Sequence, residues 1–252
     1  MESAESLAPP EPGAIPVVEY GSRRLLIVIA VMLASLLETL DSTIVNVALP
    51  TIEGNIGASI DEGIWIVTGY IISNVVAIPL NPFLTKLFGR RAYFAACIAG
   101  FTAASLLCST AHDLQMLVAF RVLQGAFGGG LIATSQVVMR DTFPPKAIGI
   151  SSALFAIALI LGPALGPLAG GYLTDNFSWQ WIFDVNVVPG VAALVIILAL
   201  LRNPVAPARV KIDWLGVGLL ALGLGALQVL LDNGERNDWF TDPSMVLAAL
   251  LS

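Results

Sequence analysis

Charged side chains are scarce in this chain: Asp, Glu, Lys and Arg make up 12% of its 252 residues, against about 25% in a soluble domain. With 57% hydrophobic residues, too little polar surface is left for a water-soluble globule of this size. Histidine is nearly missing. The single copy, His112, lies in a gap between apolar runs with no ligand partners nearby, which argues against a metal site. No histidine falls inside any apolar run, so an intramembrane enzyme lacks a nucleophile–base pair or metal ligands. The two cysteines, Cys97 and Cys108, share one run and roughly one helix face, and read as apolar filler rather than a disulfide. No cluster of basic and aromatic residues points to nucleic acid.

What the chain has is long apolar runs, near 25–49, 64–85, 92–111, 114–139, 147–174, 181–201 and 214–231. Each is close to the roughly 20 residues that an α-helix needs to cross a bilayer. Met245 to Ser252 begin an eighth run, expected to be the start of a span cut short. Ten of the twelve basic residues occupy alternate gaps: Arg23 and Arg24, then Lys86, Arg90 and Arg91, then Arg140 and Lys146, then Arg202, Arg209 and Lys211. The other gaps carry Glu53, Asp61, Glu62, Asp113, Asp175, Asp232, Glu235, Asp238 and Asp242, with Arg236 as their one basic member. Cytoplasmic loops hold the excess of Lys and Arg. The alternation therefore predicts an all-α membrane protein with seven full spans, the start of an eighth, and a cytoplasmic N-terminus.

Residues 1–22, with four prolines and four glutamates, are expected to form a disordered cytoplasmic tail. Residues 23–202 form a six-helix domain, 203–213 a cytoplasmic linker containing Pro204 and Pro207, and 214–252 an additional span and the beginning of the next. Spans 1–3 and 4–6 would be related by inverted topology, although no clear residue-level repeat supports it.

Glu38, Asp41 and Arg121 are charged residues placed well inside runs. A carboxylate at mid-bilayer costs roughly 2.5–3.5 kcal/mol or more and marks a cavity or a partner. Glu38 and Asp41 are three apart, on neighbouring positions of one helix face. Their mutual repulsion favours the binding of a proton by one of them. A neutral, hydrogen-bonded acid that only organises the bundle is the competing reading. Arg121 is the one basic residue within a span. Counted at ~1.5 Å per residue it lies about 10 Å from the outer face, and Asp41 about 13 Å, so the two meet if spans 1 and 4 pack together. Such a pair keeps Asp41 charged and leaves Glu38 the more easily protonated acid; a purely structural ion pair is the alternative. In span 5, Gly162, Gly166 and Gly170 form a stripe for close helix approach. Pro163 and Pro167 each remove a backbone donor and are expected to bend that helix.

Leu40-Asp41-Ser42-Thr43-Ile44-Val45-Asn46-Val47-Ala48-Leu49-Pro50 resembles the first-span signature of the fourteen-span drug:proton antiporters, the EmrB/QacA branch of the major facilitator superfamily. Arg121-Val122-Leu123-Gln124-Gly125 is similar to the superfamily's fourth-span arginine motif. The run from Gly162 to Pro167, with Gly170 and Gly171, resembles a fifth-span motif of antiporters. Trp179 to Phe183 with Asn186 and Pro189-Gly190 resembles the start of span 6, and the stretch from Asp213 to Phe240 the extra central span.

The resemblance implies a bundle of that superfamily's type that is not an enzyme. It further implies efflux of lipophilic or amphipathic compounds, drugs among them, in exchange for protons, driven by a gradient with no cofactor or metal. Glu38, Asp41 and Arg121 then serve proton coupling, and Asn46, Gln124 and Asp184 line the substrate cavity. Gly162, Pro163, Gly166, Pro167, Gly170 and Gly171 control its closure. Asp184 departs from the expected apolar residue and either meets a cationic substrate or faces outer water. The loop motif after span 2 retains Gly89, Arg90 and Arg91 but has Lys86 where an aspartate is usual, so its charge lock does not carry over. A multi-pass protein of the inner membrane is expected, with a periplasmic adaptor and an outer-membrane channel as further partners. A non-transporting scaffold, or an inactive fragment of a transporter, is the alternative.

Overall fold

A computed structural model describes residues 20–203, 214–234, 239 and 243–252. Residues 1–19 of the tail expected at 1–22 and 204–213 of the linker expected at 203–213 lie outside the described residues, as does Arg236, while Gly21 and Ser22 already belong to α1. The helices are α1 (Gly21–Ile56), α2 (Ile60–Ala77), α3 (Asn81–Phe88), α4 (Arg90–Ser109), α5 (Leu114–Thr142), α6 (Ile148–Asn176), α7 (Trp181–Asp184), α8 (Val187–Leu200), α9 (Trp214–Asn233) and α10 (Pro243–Leu251). Among the described residues, six helical stretches are long and apolar enough to cross a bilayer, with α2–α3 and α7–α8 each counting as one. α9 contributes a shorter apolar stretch, Gly218–Leu231.

Local sequence explains where these helices begin and end. α1 runs past Pro50, beyond the boundary expected at residue 49. A proline inside a helix forfeits the bond to the carbonyl four residues back. Here that carbonyl belongs to Asn46, whose residue is exposed and whose own side chain folds back onto Ser42. α1 stops at Gly57, which at φ +70° adopts the left-handed conformation that a residue with no Cβ accepts readily. α2 opens with a capping box in which the Ser59 and Glu62 side chains each serve the other's backbone N–H. The second span breaks at the 3₁₀ turn Ile78–Leu80, where Pro79 supplies no donor. Asp113 caps α5 by accepting from the Met116 N–H at 2.8 Å.

The bundle is apolar outside and polar within. Large side chains such as Ile160, Leu168 and Val188 face outward, while Asp41, Arg121, Gln124, Ser105 and Asn186 are buried. This is the pattern expected of a lipid-solvated bundle. Two apolar clusters flank that polar layer. One gathers Ile27, Val31, Phe94, Phe101, Leu131, Met139 and Ile197 toward the basic end; the other holds Ile44, Ile52, Ile66, Leu117 and Phe183 toward the acidic end.

Small residues set the closest approaches. α2 packs against α5 and α1 against α6. A side chain at Gly125 would collide with the Tyr70 carbonyl, and one at Gly129 with that of Asn74. On α6, Gly162 and Gly166 leave room for Thr39 and Thr43, and a Cβ on Gly170 would sit 3.0 Å from the Ile44 carbonyl oxygen. Gly171 meets nothing within 4 Å, so it stands apart from that seam. Pro163 and Pro167 are exposed, one residue round the helix from the packed glycines, and α6 remains one continuous helix through both.

Candidate functional site

Asp41 and Arg121 meet at the centre of the polar layer. Their side chains are 0% and 1% exposed, and Arg121 Nη1 stands 2.5 Å from Asp41 Oδ2. Packing of α1 against α5 brings them together. One turn along α5, Gln124 donates to Asp41 Oδ1 at 2.8 Å while accepting from Arg121 Nη1 at 2.8 Å. Asn186, in the break between α7 and α8, donates to Asp41 Oδ1 at 3.0 Å and is within 3.0 Å of Ser105 Oγ. Ser105 in turn donates to the Phe183 carbonyl. Three donors thus converge on one carboxylate, and an ionised carboxylate offers acceptors only.

The arginine is held from its other sides too. Its Nε donates to the Ile66 carbonyl at 3.3 Å, and its guanidinium carbon lies 4.0 Å from the Tyr70 ring centre. A planar, permanently charged fork suits such a site.

Glu38 lies one turn away on α1 and is 8% exposed. Its Oε1 accepts from Asn74 Nδ2 at 3.2 Å and from the Tyr70 hydroxyl at 3.4 Å. Among the described residues it has no salt-bridge partner. The two acids therefore differ in kind: Asp41 sits in an ion pair, whereas Glu38 is buried with neutral donors only.

The remaining sequence-derived candidates divide. Gln124 is buried inside the network. Asn46 is exposed and donates to the Ser42 carbonyl at 3.2 Å, and Asp184 is half-buried at the end of α7. Neither touches Asp41. In the loop after the second span Lys86 is exposed, and Gly89 turns the chain at φ +80° beside Asn203. Arg90 forms an ion pair with Asp141 at the end of α5. The Arg91 backbone N–H donates to Asn203 Oδ1 at 2.8 Å, and its guanidinium reaches the Leu198 carbonyl. Arg23 joins them at the same end, its Nε donating to the Leu200 carbonyl at 3.2 Å. Cations at a helix C-terminus complement its dipole.

Sequence reasoning missed Tyr70, Asn74, Ser105 and the bonding role of Asn186, as well as Asp141 opposite Arg90. Each is a polar residue inside or at the end of an apolar run, and that is the one signal that could have flagged them. Among the described residues, no group of three or more His, Cys, Asp or Glu is placed to hold a metal ion.

The Major Facilitator Superfamily profile matches residues 31–252. The multidrug export protein EmrB of Escherichia coli (strain K12) is 39% identical over 233 residues, 92% of this chain and 46% of that protein. The fatty acid resistance protein FarB of Neisseria gonorrhoeae is 40% identical over 215 residues, 85% of this chain and 42% of that protein. The chain thus spans less than half the length of these relatives. Among solved structures, the peptide transporter POT in complex with sulfate aligns with a TM-score of 0.68 at 16% identity, covering 94% of this chain and 51% of the other. The proton:xylose symporter XylE aligns at 0.64 with 14% identity, covering 86% and 55%. At these identities the likeness is one of fold.

Proposed function

This chain belongs to the Major Facilitator Superfamily, and from that premise we propose that it forms the N-terminal half of a proton-coupled exporter of lipophilic or amphipathic small molecules. In this reading residues 23–202 are the six-helix transporter domain and 1–22 a cytoplasmic tail. Residues 203–213 are a linker, and 214–252 an extra seventh span followed by the start of another. The basic ends of the helices face the cytoplasm, and the membrane is the inner (plasma) membrane. EmrB is a multidrug export protein and FarB a fatty acid resistance protein, which supports the same cargo class. A periplasmic adaptor and an outer-membrane channel complete the export route.

One observation supports the coupling role above others: Glu38, a buried acid without a basic partner among the described residues, lies one turn from a buried acid that has one, Asp41. Glu38 is assigned the exchanged proton, handed between it and the water on either side as the bundle alternates. Asp41, held by Arg121, Gln124 and Asn186, keeps the charge that makes Glu38 sensitive to protonation. Asn46, Gln124 and Asp184 are assigned to the cargo side of the site, and the seam from Gly162 to Gly170 to closure.

Everted vesicles containing the full-length protein test this. Acidifying their lumen should drive accumulation of a lipophilic dye, and cargo addition should release protons. Glu38→Gln should abolish both while leaving the protein folded. Uphill accumulation that persists in the Glu38→Gln, Asp41→Asn double variant would refute the coupling role.

A further inference from the structure

The basic-end halves of α5 and α6 stand apart even though a short turn joins them. Between them lies a cavity of about 520 Å³, in the size range of small-molecule sites. Its walls are mostly apolar, with Val137 from α5 and Phe155 and Leu159 from α6. Gln136, Ser151 and Ser152 add three neutral polar groups, and among the described lining residues Arg140 contributes the one charge. From Ile148 to Leu159 the α6 wall runs roughly 16 Å at 1.5 Å per residue, so the cavity extends along about three turns of that helix.

Among the described residues the charge at this site is not cancelled. Arg140 is exposed, and among the described residues it has neither a hydrogen bond nor a salt bridge. The adjacent acid, Asp141, is engaged by Arg90. The nearest other charge on the connecting turn, Lys146, is also positive. A free guanidinium matches a carboxylate through two parallel hydrogen bonds, and the apolar walls beyond it match a single hydrocarbon tail.

We propose that this cavity is a binding site for carboxylate-bearing amphiphiles as cargo, with Arg140 as the residue that selects the anionic headgroup. The proposal rests on the export reading for its meaning as cargo, but the binding itself does not require proton exchange.

The test is equilibrium binding, without a pH gradient, of dodecanoate and dodecyltrimethylammonium to the full-length protein in phosphatidylcholine nanodiscs. The wild type should bind dodecanoate. Arg140→Gln should weaken that binding about tenfold or more, the loss of one charge-assisted interaction, without weakening the cation. Arg140→Lys should restore part of it. Ala156→Trp, which fills the cavity from α6, should block dodecanoate as well. Unchanged dodecanoate binding in either Arg140→Gln or Ala156→Trp overturns the proposal. So does full competition by phosphatidylglycerol in the disc, which would give the site to membrane lipid. A protein that binds dodecanoate through Arg140 but exchanges no protons refutes the export reading alone. One that exports a cationic dye yet ignores Arg140 refutes this inference alone.

Discussion

Tyr70 joins the two acidic sites through Arg121: its ring lies 4.0 Å from the guanidinium carbon, and its hydroxyl donates to Glu38 Oε1 at 3.4 Å. One side chain thereby senses both the charged pair and the unpaired acid. Tyr70→Phe keeps the ring and deletes the donor. It should cost about 1 kcal/mol of stability and selectively impair proton-linked accumulation, read by vesicle assay. Tyr70→Ala also removes the buried ring and should cost about 3–5 kcal/mol, read as a fall in thermal stability in detergent. Equal transport by Tyr70→Phe and wild type would remove the hydroxyl from the mechanism.

Arg121→Ala strands Asp41 as a buried charge, and losses of this kind run to about 3–5 kcal/mol. Adding Asp41→Asn should recover part of that loss, because the stranded charge is gone. A double-mutant cycle from denaturation midpoints measures the coupling. Strictly additive effects would mean that the two side chains do not interact in the folded protein.

Gly162 and Gly171 belong to one glycine-rich stretch but should respond oppositely. A methyl on Gly162 collides with Thr39, whereas one on Gly171 meets nothing within 4 Å. Gly162→Ala should destabilise by about 1–3 kcal/mol through overpacking and reduce transport. Gly171→Ala should be close to neutral in both measurements.

Arg90 and Asp141 are 18% and 32% exposed, so their pair should contribute only about 0–1 kcal/mol. Its effect should lie in activity instead. Arg90→Asp alone should slow cargo accumulation, and the charge swap with Asp141→Arg should restore it. No recovery in the swap would argue against a role for the pair in cycling.

The six-helix pattern and the Asp41–Arg121 pair were legible from sequence for the same reason. Lipid favours long apolar runs and disfavours an unpaired basic residue within one, so Arg121 could be matched by depth to Asp41. Neutral polar groups obey no such rule. Asn46 and Asn186 both sit in motif-like stretches, yet the first is exposed and the second holds Asp41. Nothing in spacing separates them, because an amide is tolerated on either side of a helix. The first apolar run ends near residue 49, yet α1 continues through Pro50 to Ile56, because the bond that proline forfeits falls at Asn46, an exposed residue. Asp141 escaped attention as a lone acid among basic residues, although that isolation is what gives Arg90 its partner.

The hydrogen bond from Arg23 to Leu200 ties the first transmembrane helix to the last of the six, 177 residues later. With Arg91 fastened to Leu198 beside it, the arrangement is a hoop rather than a row. A hoop resists shear between its staves, so the alternation proposed for this bundle should rock its helices as a single lever instead of sliding one stave past the next.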